Sequence, residues 1–148
     1  MTDPLPPGAP APPASFHRRT AAVADRLPDL REALGRWLDT LDLGIERHED
    51  VVLAGYEAMA NSAEHAYRDR EPGPIDVRAE ALPGRLTVTV SDYGTWQPPS
   101  ETNGLRGRGL LLIDSLADHC AQVHREDGTT VTMTWLTGDL PAAPHPDA

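Results

Sequence analysis

The sequence predicts an α+β fold, a two-layer sandwich in which a mixed, mostly antiparallel sheet packs on helices. Apolar residues recur at helical spacing in the first half of the chain, and two-residue alternation begins at Ile75. Helices thus precede a run of hairpins instead of alternating with single strands, which argues against a βαβ repeat. At 148 residues, the chain is long enough for one domain with its own core.

This domain is expected to span residues 15–137. Residues 1–14 are rich in proline and small residues, a composition that favours extended, unpacked chain. Residues 138–148 have a similar composition. We therefore expect a disordered Pro-rich tail before the domain and a flexible tail after it.

Two helices are expected near the start of the domain, after a short strand around Phe16–Arg19. Pro28 suits a first helical turn, and the leucines that follow it recur at helical spacing. The first helix should therefore run to near Gly44. The second should run from Glu46 to Tyr67.

Two hairpins are expected after the helices. Ile75–Ala81 and Leu86–Val90 alternate apolar with polar residues around a turn at Pro83-Gly84. A second pair, Ala121–Arg125 and Thr129–Leu136, lies on either side of a Glu-Asp-Gly turn. Each hairpin should have one face on the core and one face in water.

Composition excludes several kinds of function. The formal net charge of -10 and the pI near 4.9 argue against nucleic-acid or anionic-membrane binding, because both need dense cationic surface. Without a lysine, the chain cannot contain a Gly-Lys-Ser/Thr phosphate loop. Cys120 is the single cysteine and is expected to be a small buried residue, which fits a reducing cytoplasm. No apolar run approaches the roughly 18 residues of a membrane span, so we expect a soluble, unexported protein.

The second helix carries a polar face with a candidate for chemistry. Glu57, Asn61 and His65 are spaced four residues apart and therefore share one side of the helix. A second stripe is mostly apolar and suited to packing on a sheet. Its members are Val52, Tyr56, Met59, Ala63 and Tyr67.

A second candidate lies at the end of a predicted strand. The sheet would hold Asp92 in place, while Gly94 permits a turn or a close approach of a ligand. A fixed, partly buried carboxylate can accept a hydrogen bond from an exocyclic amine such as that of adenine. Hydrogen bonds of this charge-assisted kind contribute about 1.5–3 kcal/mol.

A Gly-rich stretch between the hairpins has the features of an anion seat. Gly104, Gly107 and Gly109 bracket two arginines just before a short apolar helix, Leu110–Ala117. Exposed backbone N–H groups, the helix N-terminus and the arginines all favour phosphate here. The loop 95–106 is a candidate lid over that seat.

Each of these patterns also has an ordinary structural explanation. Glu57 and Asn61 alone are typical of a solvated helix face, and Asp92–Gly94 alone is typical of a turn. Gly107–Gly109 is common in a loop that leads into a helix, and Gly128-Thr129 is ordinary hairpin chemistry. Their combination, in this order and on these elements, favours nucleotide binding.

The same four segments resemble the N box and glycine boxes of the GHKL ATP-binding superfamily, which includes gyrase, MutL and histidine-kinase catalytic domains. The small size and the runs Asn-Ser-Ala-Glu-His-Ala-Tyr and Arg-Gly-Arg-Gly-Leu are most similar to the stand-alone anti-sigma-factor kinases of the RsbW and SpoIIAB type. This resemblance extends from Phe16 to Leu136. It implies a Bergerat ATP-binding fold.

The resemblance also implies a role for each matching residue. Asn61 corresponds to the asparagine that binds the Mg²⁺ ion bridging the ATP phosphates, and Glu57 to the general base. Asp92 corresponds to the residue that reads adenine, with Gly94 beside the ring and Thr129 supporting the adenine end. The residues of this chain that correspond to the family's phosphate loop are Gly107, Arg108, Gly109 and Leu110.

Two functions remain open after ATP binding is accepted. The first is a serine/threonine kinase and anti-sigma factor that binds a sigma factor and phosphorylates a STAS-type anti-anti-sigma partner. The resemblance implies that this kinase is a homodimer, and the single cysteine fits a cytoplasmic location. The second is an ATP-responsive binding module without phosphotransfer. A nucleotide-free scaffold ranks lower, and a membrane sensor histidine kinase is disfavoured because no dimerising phosphoacceptor helix is evident.

Overall fold

A computed structural model describes residues 14–68, 70–95 and 112–138 of the chain. Its sheet consists of the strands β1 Ala14–Ala21, β2 Pro74–Leu82, β3 Gly84–Asp92, β4 His119–Arg125 and β5 Gly128–Thr137. They lie in the order β1-β2-β3-β5-β4, and each of the four pairings is antiparallel. Both predicted hairpins, β2–β3 and β4–β5, are confirmed. The predicted tails lie outside the described residues, apart from Ala14 and Gly138.

Helices cover one face of this sheet, which confirms the predicted two-layer sandwich. A 3-10 turn at Ala24–Arg26 leads into α1 Leu27–Asp39, and α2 is Ile45–His65. Residues 112–116 are also helical; they belong to the predicted Leu110–Ala117 helix, whose start lies outside the described residues. Within the described ranges, none of the helices combines the length and apolar character needed to cross a membrane.

The predicted end of the first helix near Gly44 is wrong. α1 ends at Asp39, where the amides of Thr40 and Leu41 bond back to carbonyls three residues earlier in a tightening turn. Leu43 is nevertheless buried. Apolar spacing therefore continues past the end of the helix, which is why periodicity alone overestimates its length. Gly44 instead precedes the first residue of α2.

The side of α2 that faces the core also differs from the predicted stripe. Of the predicted stripe within α2, Met59 is fully buried, whereas Val52, Tyr56 and Ala63 are only half-buried. Small residues form most of the buried face instead, because they let the helix approach its neighbours closely. At Gly55, for example, a Cβ would lie 3.2 Å from Leu34 Cδ2 of α1. The buried residues are Val51, Ala54, Gly55, Ala58, Met59 and Ser62.

A polar cluster on the open face of the sheet joins the edge strand β1 to the end of β3. Asp76 is only 2% exposed and accepts hydrogen bonds from the Tyr93 hydroxyl and from His17 Nε2, the latter at 2.8 Å. Arg19 Nε lies 3.9 Å from the same carboxylate. Burial alone would raise the pKa of Asp76, but these hydrogen bonds and the arginine charge together hold the pKa below its ordinary value.

Two glycines allow close backbone crossings at the end of β3. A Cβ at residue 94 would lie 1.9 Å from the Ala66 carbonyl oxygen at the end of α2. That same carbonyl accepts a hydrogen bond from the Thr95 amide at 3.0 Å. At Gly128, a Cβ would lie 2.1 Å from the carbonyl oxygen of Asp92. Both positions therefore need glycine for steric reasons.

Gly94→Ala is expected to destabilise the protein by about 1–3 kcal/mol, because the added methyl group must push the end of β3 away from α2. Gly138→Ala is the matched control, since a Cβ there meets nothing within 4 Å. Urea unfolding followed by circular dichroism measures both variants. A Gly94→Ala transition that coincides with the wild-type transition would contradict the close crossing.

Asp76→Asn is expected to lower the free energy of unfolding at pH 6 by about 1–3 kcal/mol, because it removes the charge that the buried hydrogen bonds stabilise. The folded-state pKa lies below the ordinary value of 3.8, so this stabilisation is present above that pH and is lost as the pH falls through the folded-state pKa. The difference between variant and wild type should therefore shrink in urea titrations at pH 3. A difference that grows on acidification would refute this sign.

Candidate functional site

A pocket opens where the second half of α2 meets the end of β3 and the β4–β5 hairpin. Polar residues from all of these elements line it together with a few small or apolar ones. The lining residues are Ala58, Asn61, Ser62, His65, Ala66, Asp92, Thr95, Gln122, His124, Thr129 and Val131. The structure therefore brings together three residues predicted for the site, Asn61, Asp92 and Thr129.

Asp92 lies at the base of this pocket and is 5% exposed. It is the last residue of β3, which lies between β2 and β5, and its side chain is on the helix side of the sheet together with that of Val90. Oδ1 accepts hydrogen bonds from the backbone amides of Gly94 at 3.2 Å and Thr129 at 3.1 Å. Oδ2 accepts one from the Ser62 hydroxyl at 3.0 Å.

These three hydrogen bonds leave one acceptor position of the Asp92 carboxylate unused. An ionised carboxylate offers about four acceptor positions, of which three are filled here. Its recorded donors are two amides and a hydroxyl, so no cationic side chain among them neutralises the charge. The remaining acceptor position on Oδ2 suits an N–H donor that enters the pocket.

Residues behind the pocket hold the end of β3 in place. The Tyr67 hydroxyl donates to the Pro74 carbonyl at 2.6 Å and accepts from the Tyr93 amide at 2.9 Å. Burial raises the pKa of Tyr67, so the hydroxyl stays protonated and keeps donating. The Tyr93 side chain is in turn bonded to Asp76 on the open face. Asp92 is therefore pre-positioned by contacts on both faces of the sheet.

Asn61 presents a half-buried carboxamide on the α2 wall of the pocket. Glu57 lies one helical turn earlier, roughly 6 Å along the axis, and is half-buried without being among the lining residues. The two residues therefore share a helix face, as predicted, but only Asn61 reaches this pocket.

Thr129 forms the opposite wall with residues of β4. Its Oγ1 shares a hydrogen bond of 3.2 Å with His124 Nδ1, while its amide holds Asp92. Gly94 contributes its amide to Asp92 and lies against Ala66, so it supports the pocket base without lining it. The structure thus places both residues at the Asp92 end.

Several lining residues escaped the sequence analysis. Gln122 and His124 are exposed and lie two residues apart on β4, and their pairing with Val131 and Thr129 of β5 brings them onto the pocket side. Ser62 directly follows Asn61, but its bond to Asp92 joins residues 30 positions apart. His65, which was predicted to share a helix face with Asn61, also lines the pocket, and Arg68 donates to its Nδ1 at 2.7 Å.

The predicted phosphate seat lies outside the described residues. Gly107, Arg108, Gly109 and Leu110 belong to it, and so does most of the predicted lid. Thr95, the first residue of that loop, lines the pocket, and its Oγ1 accepts a hydrogen bond from Arg70 at 3.0 Å. The predicted lid therefore begins at a residue that lines the pocket.

The donor set fits an aminopurine nucleotide with its magnesium ion. Asp92 offers the acceptor that an exocyclic amine needs, and Asn61 offers an amide oxygen, which is a suitable hard ligand. Among the described residues, no group of three His, Cys, Asp or Glu side chains is arranged to hold a metal alone. Mg²⁺ in nucleotide sites needs only one or two protein ligands, because phosphates and water supply the rest.

Comparisons with known proteins identify relatives among bacterial serine-protein kinases and anti-sigma factors. The serine-protein kinase RsbW of Bacillus velezensis is 33% identical over 107 residues, which cover 62% of this chain and 66% of that protein. The anti-sigma F factor of Clostridium botulinum is 28% identical over 118 residues, which cover 70% of this chain and 80% of that protein. The chain thus spans just under two thirds of the length of the RsbW protein it matches.

Solved structures and a family model extend the comparison. The RsbU and RsbW domains of a Mycobacterium tuberculosis protein match with a TM-score of 0.67 and 26% identity, over 86% of this chain and 33% of that one. A histidine kinase domain from Erythrobacter litoralis matches in fold, with a TM-score of 0.58, 20% identity, and coverage of 78% and 61%. The family model of the histidine kinase-like ATPase domain matches residues 20–135, which include every lining residue of the pocket. The chain therefore belongs to the histidine kinase-like ATPase domain family, within the GHKL superfamily.

Proposed function

We propose that this chain binds ATP with Mg²⁺ in the pocket above Asp92. The observation that carries the proposal is the buried Asp92 carboxylate, whose free acceptor position faces a pocket that Asn61 also lines. In this arrangement the adenine amine donates to Oδ2, and the phosphates extend towards Asn61, whose amide oxygen ligates the magnesium ion. In this proposal, residues 107–110 bind the phosphates through their backbone amides and through the charge of Arg108.

We further propose that the bound ATP is used for protein phosphorylation. Glu57 accepts the proton from a serine or threonine hydroxyl of a partner, while that oxygen bonds to the γ-phosphorus and the bond to the β-phosphate oxygen breaks, releasing ADP. The relatives named serine-protein kinase support this reaction. The position of Glu57, one turn from Asn61, supports the assignment of the base.

The partners proposed for this kinase are a STAS-type anti-anti-sigma protein as phosphate acceptor and a sigma factor as the protein that it sequesters. The names RsbW and anti-sigma F factor among the relatives support a role of this kind. A homodimer acting in the cytoplasm completes the proposal. The net charge of -10 disfavours direct binding to nucleic acid or to an anionic membrane surface.

One observation favours a second function, an ATP-responsive binding module that does not transfer phosphate. Glu57 is not among the residues that line the described pocket, so ATP binding alone needs no contribution from it. The deciding experiment incubates the protein with ATP, Mg²⁺ and purified STAS-type proteins from the same organism, then tests for phosphoserine and phosphothreonine. Transfer supports the kinase, and ATP-dependent complex formation without transfer supports the binding module.

Asp92→Asn is expected to weaken ATP binding roughly 10- to 100-fold, because it replaces a charged acceptor of the adenine amine with a neutral carboxamide. Asp29→Asn is the matched control, since Asp29 is exposed on α1, away from the pocket. Isothermal titration calorimetry measures both affinities. Unchanged affinity in Asp92→Asn would remove the base-reading role.

Glu57→Ala is expected to lower the phosphotransfer rate roughly 10²- to 10⁴-fold and to leave ATP affinity unchanged, because the general base acts only in the chemical step. Glu64→Ala removes an exposed carboxylate from the same helix and serves as control. Single-turnover transfer of labelled phosphate measures the rates. Equal rates in wild type and Glu57→Ala would show that another group takes the proton.

A further inference from the structure

Ser62 makes a contact that the proposed function does not use. It is 7% exposed, and its hydroxyl donates to Asp92 Oδ2 across the interior of the pocket wall. A serine inside a helix commonly bonds to a carbonyl of its own preceding turn. Here the hydroxyl is directed at a carboxylate on the sheet. Ser62, which directly follows Asn61, therefore connects the α2 wall of the pocket to Asp92 at its base.

This contact controls the orientation of the carboxylate. The terminal torsion of an aspartate is broad, so a carboxylate held at one oxygen can still rotate. The amides of Gly94 and Thr129 both bond to Oδ1 and hold that oxygen alone. Ser62 is the donor recorded on Oδ2, and it fills one acceptor position of that oxygen. The direction of the remaining position therefore depends on Ser62.

We infer that Ser62 is a positioning residue that makes the pocket select purines with a 6-amino group. With Oδ2 fixed, its free lone pair points at one place, where an N–H donor is favourable. A 6-oxopurine would bring a carbonyl oxygen against the carboxylate, and an unsubstituted purine would leave the acceptor unpaired. This inference rests on the proposed binding of ATP.

The test measures discrimination between bases instead of affinity alone. Calorimetry with Mg²⁺ gives the Kd values of ATP and of purine riboside triphosphate, which lacks only the amine. Ser62→Ala is expected to reduce the ratio of these two Kd values roughly 3- to 10-fold, because the amine loses its fixed acceptor. Ser62→Thr keeps a hydroxyl and is expected to retain the wild-type ratio. Inosine triphosphate, with a 6-oxo group, should follow the same trend.

If Ser62 had a purely structural role, its replacement would change the affinities for ATP and for purine riboside triphosphate equally. Ala58→Gly shows the effect of such a structural change, because it loosens the buried face of α2 at the same pocket and leaves the bond between Ser62 and Asp92 in place. Ser62→Cys, with a weakly donating thiol of similar size, repeats the test if the alanine variant does not fold.

The outcomes separate this inference from the proposed function. In one outcome, the wild type discriminates between the two triphosphates while Ser62→Ala or Ser62→Cys keeps the wild-type ratio of Kd values. This result overturns the role of Ser62 and leaves ATP binding intact. Wild type that does not bind ATP overturns both. A reduced ratio in these variants, with the wild-type ratio in Ser62→Thr, supports the inference.

Discussion

The arrangement of α2, β3 and β5 around the pocket depends on one buried carboxylate. Asp92 is almost inaccessible to water, and a buried charge is stable only when hydrogen-bond donors replace the lost solvent. Those donors come from three places in the fold: the Ser62 hydroxyl on α2, the Gly94 amide just after β3, and the Thr129 amide at the start of β5. Satisfying Asp92 therefore requires the helix and both strands to meet at one point, and the pocket is the space beside that point.

The same requirement explains the small residues around the site. A backbone amide can reach a buried carboxylate only if neighbouring segments cross closely, and Gly94 and Gly128 occupy the two crossings where a Cβ would collide with a carbonyl. On the open face, the contact between Tyr93 and Asp76 fixes the residue between Asp92 and Gly94. The fold and the local stability of the protein are therefore coupled at this strand end.

Sequence patterns predicted the features that local periodicity determines. Alternation predicted the two hairpins, and the position of Asp92 at a strand end followed from it. Periodicity failed at the end of α1, because Leu43 is buried without being helical, and on α2, because Ala54, Gly55 and Ala58 pack without being strongly apolar. The bond of Ser62 to Asp92 and the positions of Gln122 and His124 depend on long-range pairing, so no local pattern contains them.

The most direct test of the account is a crystal structure of the protein with Mg²⁺ and a non-hydrolysable ATP analogue. The account predicts the adenine amine within about 3.2 Å of Asp92 Oδ2 and the magnesium ion in contact with the Asn61 amide oxygen. A cleft filled by the protein's own side chains, or a nucleotide bound away from Asp92, would contradict it.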